Sequence, residues 1–241
     1  DVFKEHDLSR LRGSVAIGHV RYSTPGQNLL TNAQPLTANL LNGPVAVAHN
    51  GNVVNYALLR KELQLNGAIF QGTSDTEIIL HLLSKNSSSD LILALRESVQ
   101  RMEGAFSLVV LSRDKMVAVR DRFGFRPLVI GKKQNEDGTW ARVVASETCA
   151  FDLIGAQYER EIQPGEIFWV DAKGEHSEFF AKPGKTAHCV FEHIYFSRPD
   201  SIVFGSSVYE SRKRLGGELA RETPIAADVV IPVPDSGVPA A

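Results

Sequence analysis

Arg21 and Thr24 lie in a loop that follows the apolar run of residues 15–20. A guanidinium in that position could hold a carboxylate through two parallel hydrogen bonds, a geometry that lysine does not copy. The Thr24 hydroxyl could bind the same ligand. The alternative for Arg21 is an ion pair with an acidic side chain on the surface.

Asn50 and Gly51 directly follow a second apolar run, residues 44–48, which indicates a buried strand. Asn-Gly is the commonest two-residue turn of a β-hairpin, and that is one interpretation. The sequence that follows has a helical pattern and not that of a partner strand. The Asn50 amide and the Gly51 N–H could instead form an oxyanion hole, where losing one donor typically costs about 10²–10³ in rate.

Asp75 stands at the start of a helical pattern, within the segment Ser74-Asp75-Thr76-Glu77. This segment fits a capping box, in which Ser74 and Glu77 satisfy each other's backbone N–H. An acid in a first helical turn is favoured by the helix dipole, so Asp75 could be purely structural. Alternatively its carboxylate could hold the α-ammonium group of a ligand.

The two cysteines, Cys149 and Cys189, are not arranged as a zinc site or a nucleophile elbow. Each could be a small buried thiol, because free cysteine packs like an apolar residue. His49 could likewise be a core histidine. The residues therefore offer an amino-acid clamp and oxyanion donors, without an attacking group.

The elements that hold these residues change in character along the chain. Helices are predicted from Asn55, after Ser74 and over Asp90–Met102, following strands at residues 15–20 and 44–48. Strands are then predicted at residues 105–111, 116–120, 128–131 and 142–145, with a hairpin around 166–170. This order indicates an α+β domain in which helices cover sheets.

A second domain is predicted to begin near residue 204. Residues 207–222 have a helical pattern, and the apolar run 228–233 indicates a buried strand. We place the boundary in a linker at residues 200–206, which gives domains 1–203 and 204–241. Both ends interrupt a pattern, so we expect a fragment of a longer protein.

The bulk composition restricts the class of partner. The 241 residues include 26 basic and 28 acidic side chains, a net charge of −2. This balance supplies no electrostatic reason to expect nucleic acid or an anionic membrane. The apolar runs are too short to span a bilayer, and no secretory signal is recognisable. We expect a cytoplasmic protein that binds small molecules or proteins.

Seven segments in order resemble the family of glutamine phosphoribosylpyrophosphate amidotransferases, over essentially the whole chain. The first three, which resemble glutamine-site motifs shared by N-terminal-nucleophile amidotransferases, are residues 19–24, 49–52 and 74–77. The others are residues 125–128, 145–152, 191–201 and 233–236, of which the last two are similar to this family and not to its relatives.

The resemblance implies the layered αββα fold of N-terminal-nucleophile hydrolases, followed by the first helix and strand of an α/β phosphoribosyltransferase domain. It implies an enzyme that converts glutamine, phosphoribosylpyrophosphate and water into 5-phosphoribosylamine, glutamate and pyrophosphate, the first committed step of purine synthesis. Arg21 and Thr24 would bind the carboxylate end of glutamine, and Asp75 its amino group. Asn50 and Gly51 would form the oxyanion hole.

The chain departs from the family pattern at its start. The family's nucleophile is an N-terminal cysteine, whereas this chain begins with Asp1, so we expect it to hydrolyse nothing by itself. Cys189 resembles one of four cysteines that bind a [4Fe–4S] cluster in many members. Ser236 resembles a hydroxyl that lies near magnesium and the ribosyl pyrophosphate.

Two alternatives remain beside this assignment. The chain could belong to another type 2 glutamine amidotransferase, or be a non-catalytic glutamine-binding module. Residues 194–201 and 234–236 favour the first assignment. By the same resemblance we expect a homo-oligomer, and a plastid location is an alternative to the cytoplasm.

Overall fold

The computed structural model describes residues 4–20, 29–41, 43–86, 88–182 and 184–241. The strands are β1 (Leu36–Leu40), β2 (Gly43–Val53), β3 (Gly104–Ser112), β4 (Lys115–Arg120), β5 (Val129–Gln134), β6 (Trp140–Ala145), β7 (Gln157–Glu161), β8 (Glu166–Asp171), β9 (Gly174–Phe179), β10 (Ile202–Val203) and β11 (Ser206–Ser207). The α-helices are α1 (Glu5–Leu8), α2 (Tyr56–Leu65), α3 (Thr76–Lys85), α4 (Leu91–Gln100), α5 (Cys149–Ile154) and α6 (Val208–Glu222). Short 3₁₀ helices span Leu30–Asn32 and Val238–Ala240, and a π-helix spans Glu192–Phe196.

The larger sheet has six antiparallel strands in the order β1-β2-β3-β4-β8-β9. Its long strand β2 pairs with β3 over its length from Val45 to Val53. On the other edge of β2, the pairing with β1 ends at Val47, opposite Leu36. The last six residues of β2 therefore have one edge that β1 does not cover.

Helices α2, α3 and α4 cover one face of this sheet. Alternate residues of β2, among them Val47 and Val53, join the core between the sheet and these helices. Leu63 of α2, Ile79 of α3 and Leu95 of α4 belong to the same buried cluster. The period-two pattern of the strand and the apolar stripes of the helices together produce this layer.

The second sheet, in the order β6-β5-β7, packs on the opposite face. Ala118 and Phe168 of the larger sheet contact Leu128 and Ile130 in a second buried cluster. Helix α5 lies on the far side, since a Cβ placed on Gly131 of β5 would be 3.0 Å from the Phe151 ring. The expected αββα layering is therefore confirmed.

Residues 15–20, expected to form a strand, do not form one. Val20 is 98% exposed, and Val15 is also exposed. A strand requires a neighbour to satisfy its backbone groups. Within the described part of the chain, no strand pairs with this segment. An apolar run alone therefore led to a wrong prediction.

The C-terminal part agrees with the expectation only for its helix. Helix α6 forms as predicted, and the Ser207 hydroxyl caps it by accepting a hydrogen bond from the Glu210 N–H at 3.3 Å. The predicted strand at residues 228–233 is absent, and Ile231 is exposed. No described strand lies beside this run to pair with it.

The predicted linker at residues 200–206 contains the β10–β11 hairpin, with Ser201 and Val203 buried. The domain boundary itself stays a prediction.

No helix in the described ranges is long and apolar enough to cross a lipid bilayer.

Candidate functional site

Beyond Val47, the edge of β2 that faces away from β3 is not paired with β1, and backbone N–H groups point to it at alternate residues. We call it the open edge of β2. In an antiparallel strand, the N–H groups of every second residue point to the same side. The His49 N–H donates to Gln34 Oε1 at 2.7 Å, and the Val53 N–H donates to Asp75 Oδ2 at 2.9 Å. Both point away from β3. The Gly51 N–H lies between them in this alternation, so it also points to the open edge.

Gly51 has a backbone that other residues rarely adopt. Its φ is +151°, and a Cβ at this position would lie 2.0 Å from the Ala105 carbonyl oxygen and 2.9 Å from His49 Nε2. The close approach of β3 therefore requires glycine. The hairpin-turn interpretation of Asn50-Gly51 is wrong, because both residues lie inside the continuous strand β2.

Asn50 presents its side chain to one face of the sheet beside this donor. It pairs with Ser107 of β3, and strand alternation places its side chain on the face that packs against the second sheet. The side chain is half-buried. The Asn50 side chain and the Gly51 N–H thus belong to consecutive residues, the first leaving a face of the sheet and the second its edge.

Asp75 connects the start of α3 to the same edge. It occupies the N-cap position, but its side chain makes no capping hydrogen bond. Its Oδ2 accepts from the Val53 N–H, and its Oδ1 lies 3.7 Å from His49 Nδ1. The structure therefore brings Asp75 and Asn50-Gly51 together. Arg21 and Thr24 lie outside the described residues.

The Asp75 carboxylate is held in its charged form. Burial by itself raises the pKa of Asp75. The hydrogen bond and charge of His49 and the N–H groups of Val53 and Thr76 lower it by more, so the net pKa lies below the usual value. Because the folded-state pKa is lowered, the associated stability is present above the ordinary carboxyl pKa and is lost as the pH falls through the folded value. At neutral pH the site offers a carboxylate to a cation such as an ammonium group.

The loop before Asp75 is fixed by two buried polar side chains, Asn32 and Glu77. The Glu77 carboxylate accepts from the N–H groups of Gln71 and Gly72, at 2.7 and 2.9 Å. The predicted capping box is therefore wrong, because Glu77 reaches past Ser74 to this loop. The Ser74 N–H is already bound by Asn32 Oδ1, at 3.1 Å.

Replacing Glu77 with Ala is expected to lower the free energy of unfolding by about 2–4 kcal/mol, because the buried Gly72 N–H and the more exposed Gln71 N–H lose a charged acceptor. Urea unfolding of the variant and the unaltered protein measures this. Glu62→Ala is the matched control: it removes an exposed ion pair with Arg101, which contributes at most about 1 kcal/mol. Equal losses in the two variants would contradict the role of Glu77.

The cysteines do not form a metal centre by themselves. Cys149 is buried, and burial raises the pKa of its thiol, as expected for an inert packed side chain. Cys189 is half-buried, with the Arg126 Nη1 3.9 Å from its Sγ. Across the described residues, no group of three or more His, Cys, Asp or Glu side chains could hold a metal ion. A four-thiolate cluster therefore does not fit the described residues alone. Ser236 lies half-buried in a turn.

Sequence reasoning missed the two polar residues that connect these segments, Asn32 and Gln34. Asn32 ends a three-residue 3₁₀ helix and Gln34 follows it, in a stretch too short to give a helical or strand periodicity. Their partners are backbone N–H groups 15 to 42 positions away along the chain. Only the folded arrangement reveals them.

Comparison with known families and proteins gives consistent matches. The glutamine amidotransferase domain family matches residues 19–152. A chloroplastic amidophosphoribosyltransferase of Glycine max is 54% identical over 242 residues, covering 100% of this chain and 42% of that protein. An amidophosphoribosyltransferase of Rhizobium etli is 43% identical and covers 97% of this chain and 47% of that protein. The chain thus spans about half the length of these relatives, or somewhat less.

Comparison with solved structures gives matches consistent with those from the sequence comparisons. The glutamine phosphoribosylpyrophosphate amidotransferase from B. subtilis, complexed with ADP and GMP, has a TM-score of 0.84 and 42% identity, and the match covers 92% of this chain and 47% of that chain. A structure described as the allosteric regulatory enzyme of purine biosynthesis has a TM-score of 0.85 and 43% identity. This similarity shows the same fold, and the expected N-terminal-nucleophile hydrolase fold is confirmed.

Proposed function

Because this chain belongs to the glutamine amidotransferase domain family, we propose that the open edge of β2 binds glutamine. We propose further that the complete protein transfers the ammonia released from glutamine to phosphoribosylpyrophosphate. The products are then 5-phosphoribosylamine, glutamate and pyrophosphate, in the first committed step of purine synthesis. The relatives named amidophosphoribosyltransferase support the second step, since they match the whole chain.

The observation that carries the glutamine assignment is the convergence of Asp75 and Gly51 on one strand edge. The charged Asp75 carboxylate suits the α-ammonium group of an amino acid. The Gly51 N–H and the Asn50 amide suit the oxygen of a tetrahedral intermediate. Arg21 and Thr24 complete the proposal as ligands of the glutamine carboxylate.

The proposed chemistry is attack by a thiolate on the glutamine side-chain amide. The carbonyl oxygen gains negative charge as the carbon–sulfur bond forms, and Asn50 and Gly51 stabilise that charge. The α-amine of the attacking cysteine takes the thiol proton and returns it to the leaving nitrogen, so that ammonia leaves. Water then hydrolyses the resulting thioester to glutamate and the free thiol. We assign the attack to neither Cys149 nor Cys189. Burial raises the pKa of the Cys149 thiol. The nucleophile that we propose is the N-terminal cysteine that the family resemblance implies.

The transfer of ammonia to phosphoribosylpyrophosphate would involve residues outside the proposed glutamine site. Ser236 is proposed to lie near a magnesium ion that binds the pyrophosphate, because magnesium prefers oxygen ligands. Cys189 is proposed as one of four thiolate ligands of a [4Fe–4S] cluster in the complete protein. No step of the glutamine chemistry depends on either metal centre.

Incubation of the complete protein with glutamine, phosphoribosylpyrophosphate and magnesium tests the function. We expect glutamate and pyrophosphate to appear in equal amounts. Glutamate without pyrophosphate would indicate another type 2 glutamine amidotransferase. If glutamine binds but neither product forms, a non-catalytic glutamine-binding module is the better assignment.

The remaining expectations are proposals of the same kind. Relatives from plants that are named chloroplastic are 52–55% identical to this chain, against 43–45% for the bacterial and archaeal relatives. This difference favours the plastid over the cytoplasm as the location. A homo-oligomer is also proposed.

A further inference from the structure

We propose that Asn32 and Gln34 are positioning residues that fix the segments of the glutamine site relative to one another. They belong to the stretch that follows residues 21–28, which include the proposed carboxylate ligands. One side chain reaches the Asp75 segment, and the other reaches the Asn50-Gly51 segment. We call this pair the brace. The inference rests on the proposed glutamine site.

The Asn32 side chain holds the segment that leads into Asp75. It is fully buried, and its Oδ1 accepts from the N–H groups of Thr73 and Ser74 at 2.9 and 3.1 Å. Its Nδ2 donates to the Thr73 hydroxyl at 2.9 Å. Three hydrogen bonds thus join Asn32 to the two residues that precede Asp75. A Cβ on neighbouring Gly72 would lie 2.6 Å from Asn32 Oδ1, so the loop backbone passes very close to this side chain.

The Gln34 side chain holds β2 next to its oxyanion donors. The last backbone pair between β1 and β2 joins Leu36 to Val47. The next N–H on that edge belongs to His49, where β1 no longer supplies a carbonyl. Gln34 Oε1 accepts this N–H at 2.7 Å. The side-chain amide thus continues the strand pairing by one position, directly before Asn50.

The hydrogen bonds of the brace lie next to the proposed ligand groups, whose positions determine glutamine binding and catalysis. Neither Asn32 nor Gln34 belongs to the two buried apolar clusters, but Asn32 is fully buried, so Asn32→Ala is also expected to lower the free energy of unfolding. Each is bonded to backbone within one residue of a proposed ligand group. A shift of about 1 Å in such a group can reduce the rate about 10²-fold.

Steady-state kinetics of the complete protein can distinguish the effect of the Asn32 contact from that of the Gln34 contact. Asn32→Ala is expected to raise the KM for glutamine at least about tenfold with little change in kcat, because it releases the Asp75 segment. Gln34→Leu is expected to lower the glutamine-dependent kcat at least about tenfold, because it releases the oxyanion donors. Activity with ammonia in place of glutamine is expected to stay within about twofold.

Conservative variants supply the matched controls. Asn32→Asp keeps an oxygen for the two N–H groups, and Gln34→Glu keeps the acceptor for His49. Both are expected to retain most of the glutamine-dependent activity. If Gln34→Glu loses as much activity as Gln34→Leu, or if ammonia-dependent activity falls in parallel, the brace is not a positioning device for the glutamine site.

Amide hydrogen exchange tests the brace independently of any reaction. Asn32→Ala should increase exchange at Thr73 and Ser74, and Gln34→Leu should increase it at His49, each at least about tenfold. Amides of β4 should be unaffected. Unchanged exchange at all three sites overturns the brace even if the protein uses glutamine. If the unaltered protein uses no glutamine, the proposed function fails, while the exchange result still reports on the brace.

Discussion

Replacing Asp75 with Asn is expected to raise the KM for glutamine about 30-fold or more, while ammonia-dependent activity of the complete protein stays within about twofold. The carboxylate is largely buried and charged, so its loss leaves a bound ammonium group without its partner. Truncating one member of such a pair costs about 2–5 kcal/mol, or roughly 30-fold to several thousand-fold in affinity. The Asn side chain can still accept the Val53 N–H, so the fold should persist.

The control for this variant is Asp90→Asn. Asp90 also occupies a helix N-cap, where its Oδ1 accepts from the Ile92 N–H, but it lies at the start of α4, whereas Asp75 lies at the start of α3. Asn is an equally good N-cap, so both stability and the KM for glutamine should stay near those of the unaltered protein. If Asp75→Asn lowers the glutamine and ammonia activities together, Asp75 is a structural residue.

The sequence predicted the helices and most of the strands that surround the site. Apolar stripes locate α2, α3 and α4, and alternation or apolar runs locate β3, β4 and β8, because these signals are local. The same local signals identify the candidates Asn50, Gly51 and Asp75, which follow an apolar run or begin a helix. Their roles as glutamine ligands stay predictions.

The sequence could not predict that Asn50 and Gly51 lie inside a strand. Strand β2 continues to Val53 because β3, more than 50 residues later, pairs with it. Nothing near Gly51 in the sequence carries that information. Its φ of +151° likewise follows from the close approach of Ala105 and not from a turn.

Two failures have the same origin. The capping box at Ser74 fits the local sequence. In the structure, however, the Ser74 N–H donates to Asn32, 42 positions earlier in the chain, and not to Glu77. The apolar runs 15–20 and 228–233 are also locally consistent with strands. Neither run forms a strand, and no strand among the described residues pairs with either of them. Local patterns predict elements well only where the tertiary partner is present.

Replacing Asn50 with Ala is expected to lower the glutamine-dependent kcat about 10²–10³-fold and to leave the KM for glutamine within a few-fold. The amide would bind the oxyanion in the transition state and not the ground-state carbonyl, so its loss affects turnover more than binding. The Gly51 N–H remains, which limits the loss. Single-turnover glutamate release measures the chemical step directly.

Gly51→Ala is not a usable partner for this experiment, because its Cβ would lie 2.0 Å from the Ala105 oxygen and the strand would have to shift. Asn39→Ala is the better control, since Asn39 is an exposed residue of β1 in the same sheet. It should change neither kcat nor KM. If Asn50→Ala instead abolished glutamine binding while turnover at saturating glutamine stayed intact, Asn50 would be a ground-state ligand. The Gly51 N–H would then be the single donor of the proposed oxyanion hole.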